Sequence, residues 1–182
     1  MSNPTESYQM ALDSLGIGDT WLSARGLIEH REASELVIAE IDTDGREHRL
    51  TPACAAAWQH LKLAAAEEGI DLRIASGFRS IQRQEEIIRT KMQGGQALES
   101  ILTLLAPPGF SEHHTGCALD IKTPGIKSLD PEFENSTAFQ WLSQHARCFG
   151  FAMSYPRGNA QGFQYEPWHW CYQTQDKASF PI

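Results

Sequence analysis

Short strand-like runs alternate with helix signals along the whole chain, and that order limits the folds open to it. The run ELVIAEIDTDGREHRL (35–50) reads as two strands joined at Asp44-Gly45, a dipeptide suited to a tight hairpin turn. A helix over about Thr5–Leu15 precedes it. Thr51 followed by Pro52 is an N-cap and first-turn signal, the alanine-rich run carries helix through Glu68, and Gly69 supplies the stop. IDLRIASG (70–77) reads as a strand, and Ser80 to about Met92 as an amphipathic helix with Ile81, Ile87 and Ile88 on its apolar side. GQALESILTLLAPPG (95–109) predicts a short apolar helix ended by Pro107-Pro108. CALDI (117–121) is a strand pattern, and Thr137 with Gln140 forms a capping box for a helix ending near Gly150. FAMSY (151–155) and QYEPWHWCY (164–172) supply further strands around the connector PRGNAQG. This order predicts an α+β fold in which a small antiparallel sheet is flanked by helices.

With 182 residues and 41% hydrophobic content, one domain can bury a sizeable core without disulfides or metal to hold it together. The net charge of -8 argues against a general affinity for nucleic acid or anionic membrane, because both need clustered Lys and Arg. MSNPTESYQMALDSLGIGDTW has neither a basic n-region nor a continuous apolar h-region, and no later stretch can span a bilayer, so a cytoplasmic location is expected. Cys54, Cys117, Cys148 and Cys171 show no C-x-x-C pairing, which points to buried free thiols rather than a zinc ribbon or a disulfide framework.

The segment GFSEHHTGCALDI (109–121) carries the chemistry. A hydrolytic zinc site needs three nitrogen or oxygen ligands, one open position for water, and a nearby carboxylate to take the water's proton. His113, Asp120, His169 and Glu166 supply such a set. Leu119 and Ile121 flank Asp120, so its carboxylate should project from a strand toward one side of the sheet. Pro167 keeps Glu166 and His169 out of a helix, and a bulge or bend is needed to bring both to one cleft. Glu166-x-x-His169 is the single E-x-x-H in the sequence and is weak evidence alone.

SGFRS (76–80), SEHHTGCALD (111–120) and EPWHW (166–170), in that order, resemble the motifs of the VanY-type D-alanyl-D-alanine carboxypeptidases. These belong to a wider zinc peptidase group with lysostaphin-type endopeptidases and the hedgehog domain. The family pattern S-x-H-x-x-G-x-A-x-D falls on Ser111, His113, Gly116, Ala118 and Asp120, and selects His113 rather than His114 as ligand. The resemblance implies a zinc cleft on the sheet, one Zn2+ per chain on His113, Asp120 and His169, and Glu166 as catalytic acid and base. It places Arg79 and Gln84 on the family's substrate-binding positions, with Arg79 also stabilising the developing oxyanion and Ser111 contacting substrate. Phe78 stands where many relatives have tyrosine. The resemblance covers roughly residues 51–172, so 1–50 form a helix-and-hairpin extension without motifs, within one domain of 1–182.

The implied activity is removal of a C-terminal D-alanine from peptidoglycan precursors or recycled muropeptides, with L,D-cleavage slightly favoured over D,D-cleavage by a cytoplasmic setting. The alternatives are a phage-type peptidoglycan endopeptidase and a non-catalytic zinc-containing binding module. Blander roles stand beside these. Glu166 can instead orient a ligand histidine, Arg79 can pair with Glu85 or Glu86, Gln84 can be an exposed helix residue, and Ser111 can cap the motif turn.

Overall fold

The computed structural model describes residues 4–173. Two helices, α1 (Pro4–Leu15) and α2 (Asp19–Ala24), lead into a hairpin of β1 (Val37–Ile41) and β2 (Glu47–Leu50). Helix α3 (Pro52–Glu67) follows, then β3 (Arg73–Ser76), α4 (Ile81–Gln93) and the single-turn α5 (Leu98–Ile101). The motif loop contains a 3₁₀ turn at Glu112–Thr115 and feeds β4 (Ala118–Lys122). A second 3₁₀ turn, Pro131–Asn135, precedes α6 (Thr137–His145), and β5 (Phe151–Met153) and β6 (His169–Tyr172) complete the chain. The main sheet is antiparallel, in the order β3-β4-β6-β5, so the mixed α+β class expected from the sequence is the one found.

Local signals explain most boundaries. The Thr51 hydroxyl accepts from Cys54 N–H at 3.4 Å and starts α3, and Ser80 accepts from Arg83 N–H at 3.0 Å and starts α4. Helix α6 is capped one residue before the expected Thr137, by Ser136, whose hydroxyl accepts from Phe139 N–H at 3.0 Å. The apolar run after Gly95 forms helix only at Leu98–Ile101, because the chain then turns at Leu102–Leu105 on its way to Pro107. QYEPWHWCY is strand only from His169, since Pro167 sits in a turn closed by His169 N–H donating to Glu166 C=O at 3.1 Å. All four cysteines are free, and Cys148 is exposed rather than buried, at the surface turn after α6.

The strand period of two sorts the faces of β4. Leu119 and Ile121 point into a core built with Trp58 and Leu61 of α3, Ile74 of β3, Leu142 of α6 and Trp170 of β6. Asp120 lies between them and therefore projects from the opposite face. A second apolar cluster joins Leu12 and Leu15 of α1 to Ile88 of α4 and Ile101 of α5, and braces α4 from behind.

The first 50 residues also support the motif loop. His30 N–H donates to Gly109 C=O at 2.7 Å and Ala33 N–H to His114 C=O at 2.8 Å, while the Glu32 carboxylate accepts from Ile81 N–H at the start of α4. Gly116, with φ of +64°, lies so close to this segment that a Cβ there would sit 2.9 Å from Leu36 Cδ2. Glu40 ties the hairpin to the sheet edge by accepting from Ile74 N–H at 2.9 Å and from Lys62 Nζ at 2.7 Å. Among the described residues, no helix is long and apolar enough to cross a membrane.

Candidate metal centre and active site

Strand pairing builds the centre of the site. Ser76 faces Asp120 across β3-β4, and Asp120 faces His169 across β4-β6, so three side chains from three neighbouring strands share one row. His113 reaches the same point from the 3₁₀ turn that precedes β4. Asp120 Oδ1 lies 3.0 Å from His169 Nδ1, and Asp120 Oδ2 lies 3.3 Å from His113 Nε2. One ligand atom from each of the three lies within 4.8 Å of the others, and all three residues are buried.

The far side of each imidazole fixes which nitrogen faces this point. His113 Nδ1–H donates to Gly77 C=O at 2.8 Å, leaving Nε2 directed at Asp120. His169 is held in the opposite sense: Nε2–H donates to Glu112 Oε2 at 3.0 Å, leaving Nδ1 directed at Asp120. Two histidine nitrogens and a carboxylate oxygen thus converge, with an oxygen acceptor behind each ring, and this donor set fits a zinc ion. Among the described residues it is the group of His, Cys, Asp and Glu side chains that could hold a metal.

Electrostatics reflect the crowding of charges. Burial opposes ionisation of Asp120, yet the two histidines outweigh it and hold its carboxyl well below the usual range. Burial likewise opposes charge on His169, but hydrogen bonds to Asp120 and Glu112 dominate and raise its pKa to about 10. The same His169 contact outweighs burial at Glu112 and brings its carboxyl down to about 2. His113 moves the other way, because burial pushes its pKa down.

Glu166 belongs to none of these short pairs. Its Oε2 is 3.8 Å from His169 Nδ1, and burial pushes its carboxyl up to about 7. A carboxylate in that range at the edge of a metal centre can take and return a proton near neutral pH. The turn through Pro167 is what delivers it: the His169 N–H to Glu166 C=O bond reverses the chain just before β6, so both side chains reach one cleft without a strand bulge.

Arg79 approaches from the loop between β3 and α4. Its Nη1 donates to Gln84 Oε1 at 2.9 Å and its Nη2 to Ser76 Oγ at 3.1 Å, while Glu85 and Glu86 pair with Arg89 and Arg83. Burial lowers the pKa of Arg79 from a value so high that the guanidinium stays charged. Gln84 is fully buried rather than exposed, and its Nε2 donates to Ala106 C=O at 2.6 Å. Ser111 is also buried and lines the cleft beside His113. His114, next to His113, is a brace: Nδ1–H donates to Arg79 C=O at 2.6 Å and Nε2 accepts from Gly109 N–H at 3.1 Å. Burial brings its pKa down to about 4, consistent with a neutral ring that locks two loops together.

These groups open into a cavity of about 410 Å3 that Arg79, Gln84, Ser111, His113, Asp120, Glu166 and His169 all line. Tyr155 closes one side, its ring 4.7 Å from the His169 ring and 5.0 Å from Phe163. Sequence reading did not single out Glu112 or Tyr155. The signal for Glu112 was an acidic residue between Ser111 and His113 in a turn beside a buried histidine.

Among solved structures, the LdcB LD-carboxypeptidase superposes with a TM-score of 0.69 at 30% identity, over 79% of this chain and 70% of its own. The D,D-pentapeptidase VanY from a VanB-type vancomycin resistance cassette, solved as a mutant in complex with Zn(II), gives 0.62 at 30% identity, over 80% of this chain and 82% of its own. Fold and donor set therefore define a protein of the D-Ala-D-Ala peptidase fold. Residues 47–175 match the VanY model, described as D-alanyl-D-alanine carboxypeptidase, and the chain belongs to that family. A D-alanyl-D-alanine carboxypeptidase of Enterococcus faecalis (strain ATCC 700802 / V583) is 35% identical over 124 residues, covering 63% of this chain. The chain spans less than half of that relative, 44% of its length.

Proposed function

We propose that the chain is a zinc-dependent carboxypeptidase that removes the C-terminal D-alanine from peptidoglycan stem peptides. The observation that carries the reading is the convergence of a His113/Asp120/His169 cluster, the Glu166 carboxyl and the charged Arg79 on one cavity. His113 Nε2, His169 Nδ1 and an Asp120 oxygen would hold one zinc ion. Zinc supplies a Lewis acid and lowers the pKa of a bound water toward neutrality.

Glu166 takes a proton from the attacking water and delivers it to the departing amine, a role that suits a carboxyl lining the cavity 3.8 Å from His169 Nδ1. Arg79 offers a planar pair of donors to the peptide's terminal carboxylate and to the oxyanion beside it. Gln84 acts through Arg79: its Oε1 aims the guanidinium and Ala106 C=O anchors its amide, so it is a positioning residue rather than a direct carboxylate ligand. Ser111 stands beside His113 at the cavity wall and is placed to contact substrate. Glu112 and Gly77 C=O keep the two histidines in the tautomers that metal binding needs. The retained proton shuttle favours an enzyme over a binding module, and release of a terminal D-alanine is the step that the L,D- and D,D-carboxypeptidases resembling the chain would share.

Exopeptidase action is tested by blocking the peptide's terminal carboxylate as an amide. Amidation should abolish cleavage, and Arg79→Lys, which keeps the charge and loses the fork, should lower kcat/KM at least about tenfold. Equal turnover of free and amidated peptides would move the assignment to an endopeptidase.

A further inference from the structure

The cavity extends well beyond the groups that the proposed reaction uses. On α4, Gln84, Ile87 and Lys91 all line it, and their spacing of three and four residues puts them on one face of the helix. That face forms a floor running from the Arg79–Gln84 pair at the start of α4 to Lys91 in its last turn. Across the floor the lining is largely apolar or aromatic, including Leu104, Leu129, Tyr155 and Tyr165. Among the described lining residues, every charged side chain other than Lys91 belongs to the reacting end: Arg79, Asp120 and Glu166, beside the two histidines.

Lys91 is half-buried and makes no ion pair with the described residues, whereas Arg83 and Arg89 of the same helix pair with Glu86 and Glu85. Arg157, which lies over the lining residue Tyr165, is likewise committed: its Nη2 lies 2.8 Å from both Glu134 oxygens. In a chain of net charge -8, a lysine without an ion pair to the described residues, at the far end of a largely apolar cavity wall, is set to meet a negative group brought by the occupant.

Seven residues of helix advance about 10.5 Å, and an extended peptide advances about 3.3–3.6 Å per residue. A peptide whose C-terminal carboxylate meets Arg79 and whose backbone follows α4 therefore brings the residue two or three places upstream to Lys91, the range allowing for the flexible lysine arm. We infer that Lys91 is a specificity subsite for a carboxylate on that upstream residue, so that the preferred substrates are peptides ending in D-alanine that also carry an anionic group two or three residues before the end. This inference rests on the carboxypeptidase reading and adds the feature by which substrates are told apart.

The test uses paired peptides ending in free D-alanine that differ only in whether an upstream carboxylate is free or amidated, made with the group two and three residues before the end. Each is assayed with the zinc-loaded wild-type chain, Lys91→Met and Lys91→Glu. The wild type should prefer the free acid at one of the two positions by about tenfold in kcat/KM, carried mainly by KM. Lys91→Met should erase that preference, and Lys91→Glu should reverse it. A lysine that merely favours the helix C-terminus would change both members of a pair equally. An acid-to-amide ratio that is the same in wild type and both variants, at both positions, overturns the inference and leaves the carboxypeptidase reading standing. Failure of the wild type to release D-alanine from any of the peptides overturns both.

Discussion

Replacing Glu112 by glutamine keeps the length and polarity of the side chain behind His169 but removes its charge. In the wild type His169 Nε2–H donates to Glu112 Oε2 at 3.0 Å, and the carboxyl is held down at about 2 because that contact outweighs burial. A hydrogen bond to a charged partner contributes about 1.5–3 kcal/mol, and a neutral one about 0.5–1.5 kcal/mol. The glutamine variant should therefore lose about 1–1.5 kcal/mol of the interaction that fixes the ring, or about five- to twelvefold in zinc affinity. Glu112→Ala loses the whole bond, about 1.5–3 kcal/mol and about 12- to 160-fold, close to the range found when the partners of metal-bound histidines are removed. Competition against a chromogenic zinc chelator over a range of pH, extrapolated to the deprotonated His169 ring because Glu112 also helps that ring hold its proton, measures both, with circular dichroism as the check that both variants fold. Zinc affinities within twofold of wild type in both variants would refute the claim that Glu112 sets the tautomer of His169.

Glu166→Gln should keep zinc and the fold while the hydrolytic rate falls about 10²- to 10⁴-fold, and a variant within a few-fold of wild type would show that another group moves the proton. His169 in the metal-free chain has its pKa raised to about 10, because Asp120 and Glu112 outweigh burial, so zinc must displace its proton. Zinc uptake at pH 7 should release about one proton, and affinity should weaken about tenfold for each pH unit below that pKa. Calorimetry in two buffers of different ionisation enthalpy reads the proton count, and a count of zero contradicts the assignment. Gly116→Ala, at φ of +64° and with its Cβ 2.9 Å from Leu36 Cδ2, should cost about 1–3 kcal/mol, seen as a fall in Tm of about 2–4 °C per kcal/mol. An unchanged Tm would contradict the close packing of residues 33–36 on the motif loop.

Local chemistry was legible where one residue type decides the backbone: Asp44-Gly45 sits between the paired strands, Thr51 and Ser80 cap their helices, and Gly69 follows the end of α3. It failed where several neighbours compete for one role. Ser136 and Thr137 can both cap, and the chain uses the first. The stretch 164–168 carries strand-forming residues, but Pro167 lacks an amide hydrogen and the chain turns instead. At the site, residue types suggested His113, Asp120, His169 and Glu166 and the resemblance selected His113 over His114; the strand row then places Asp120 beside His169, while the 3₁₀ turn and the Pro167 turn bring in His113 and Glu166. Glu112 could not, because its partner lies 57 positions away and only the pairing of β4 with β6 makes them neighbours. The bracing by Glu32 and Ala33 was hidden for the same reason: long-range hydrogen bonds that involve backbone groups leave no periodic trace in sequence.

The central claim is tested most directly by mass spectrometry of the products formed from defined stem tripeptide, tetrapeptide and pentapeptide, with zinc-loaded protein, with chelator, and with zinc restored. The account predicts loss of a single terminal D-alanine from the tetrapeptide or the pentapeptide, abolished by chelator and recovered with zinc. Cleavage inside the peptide, or release of D-alanine that persists in chelator, would contradict it.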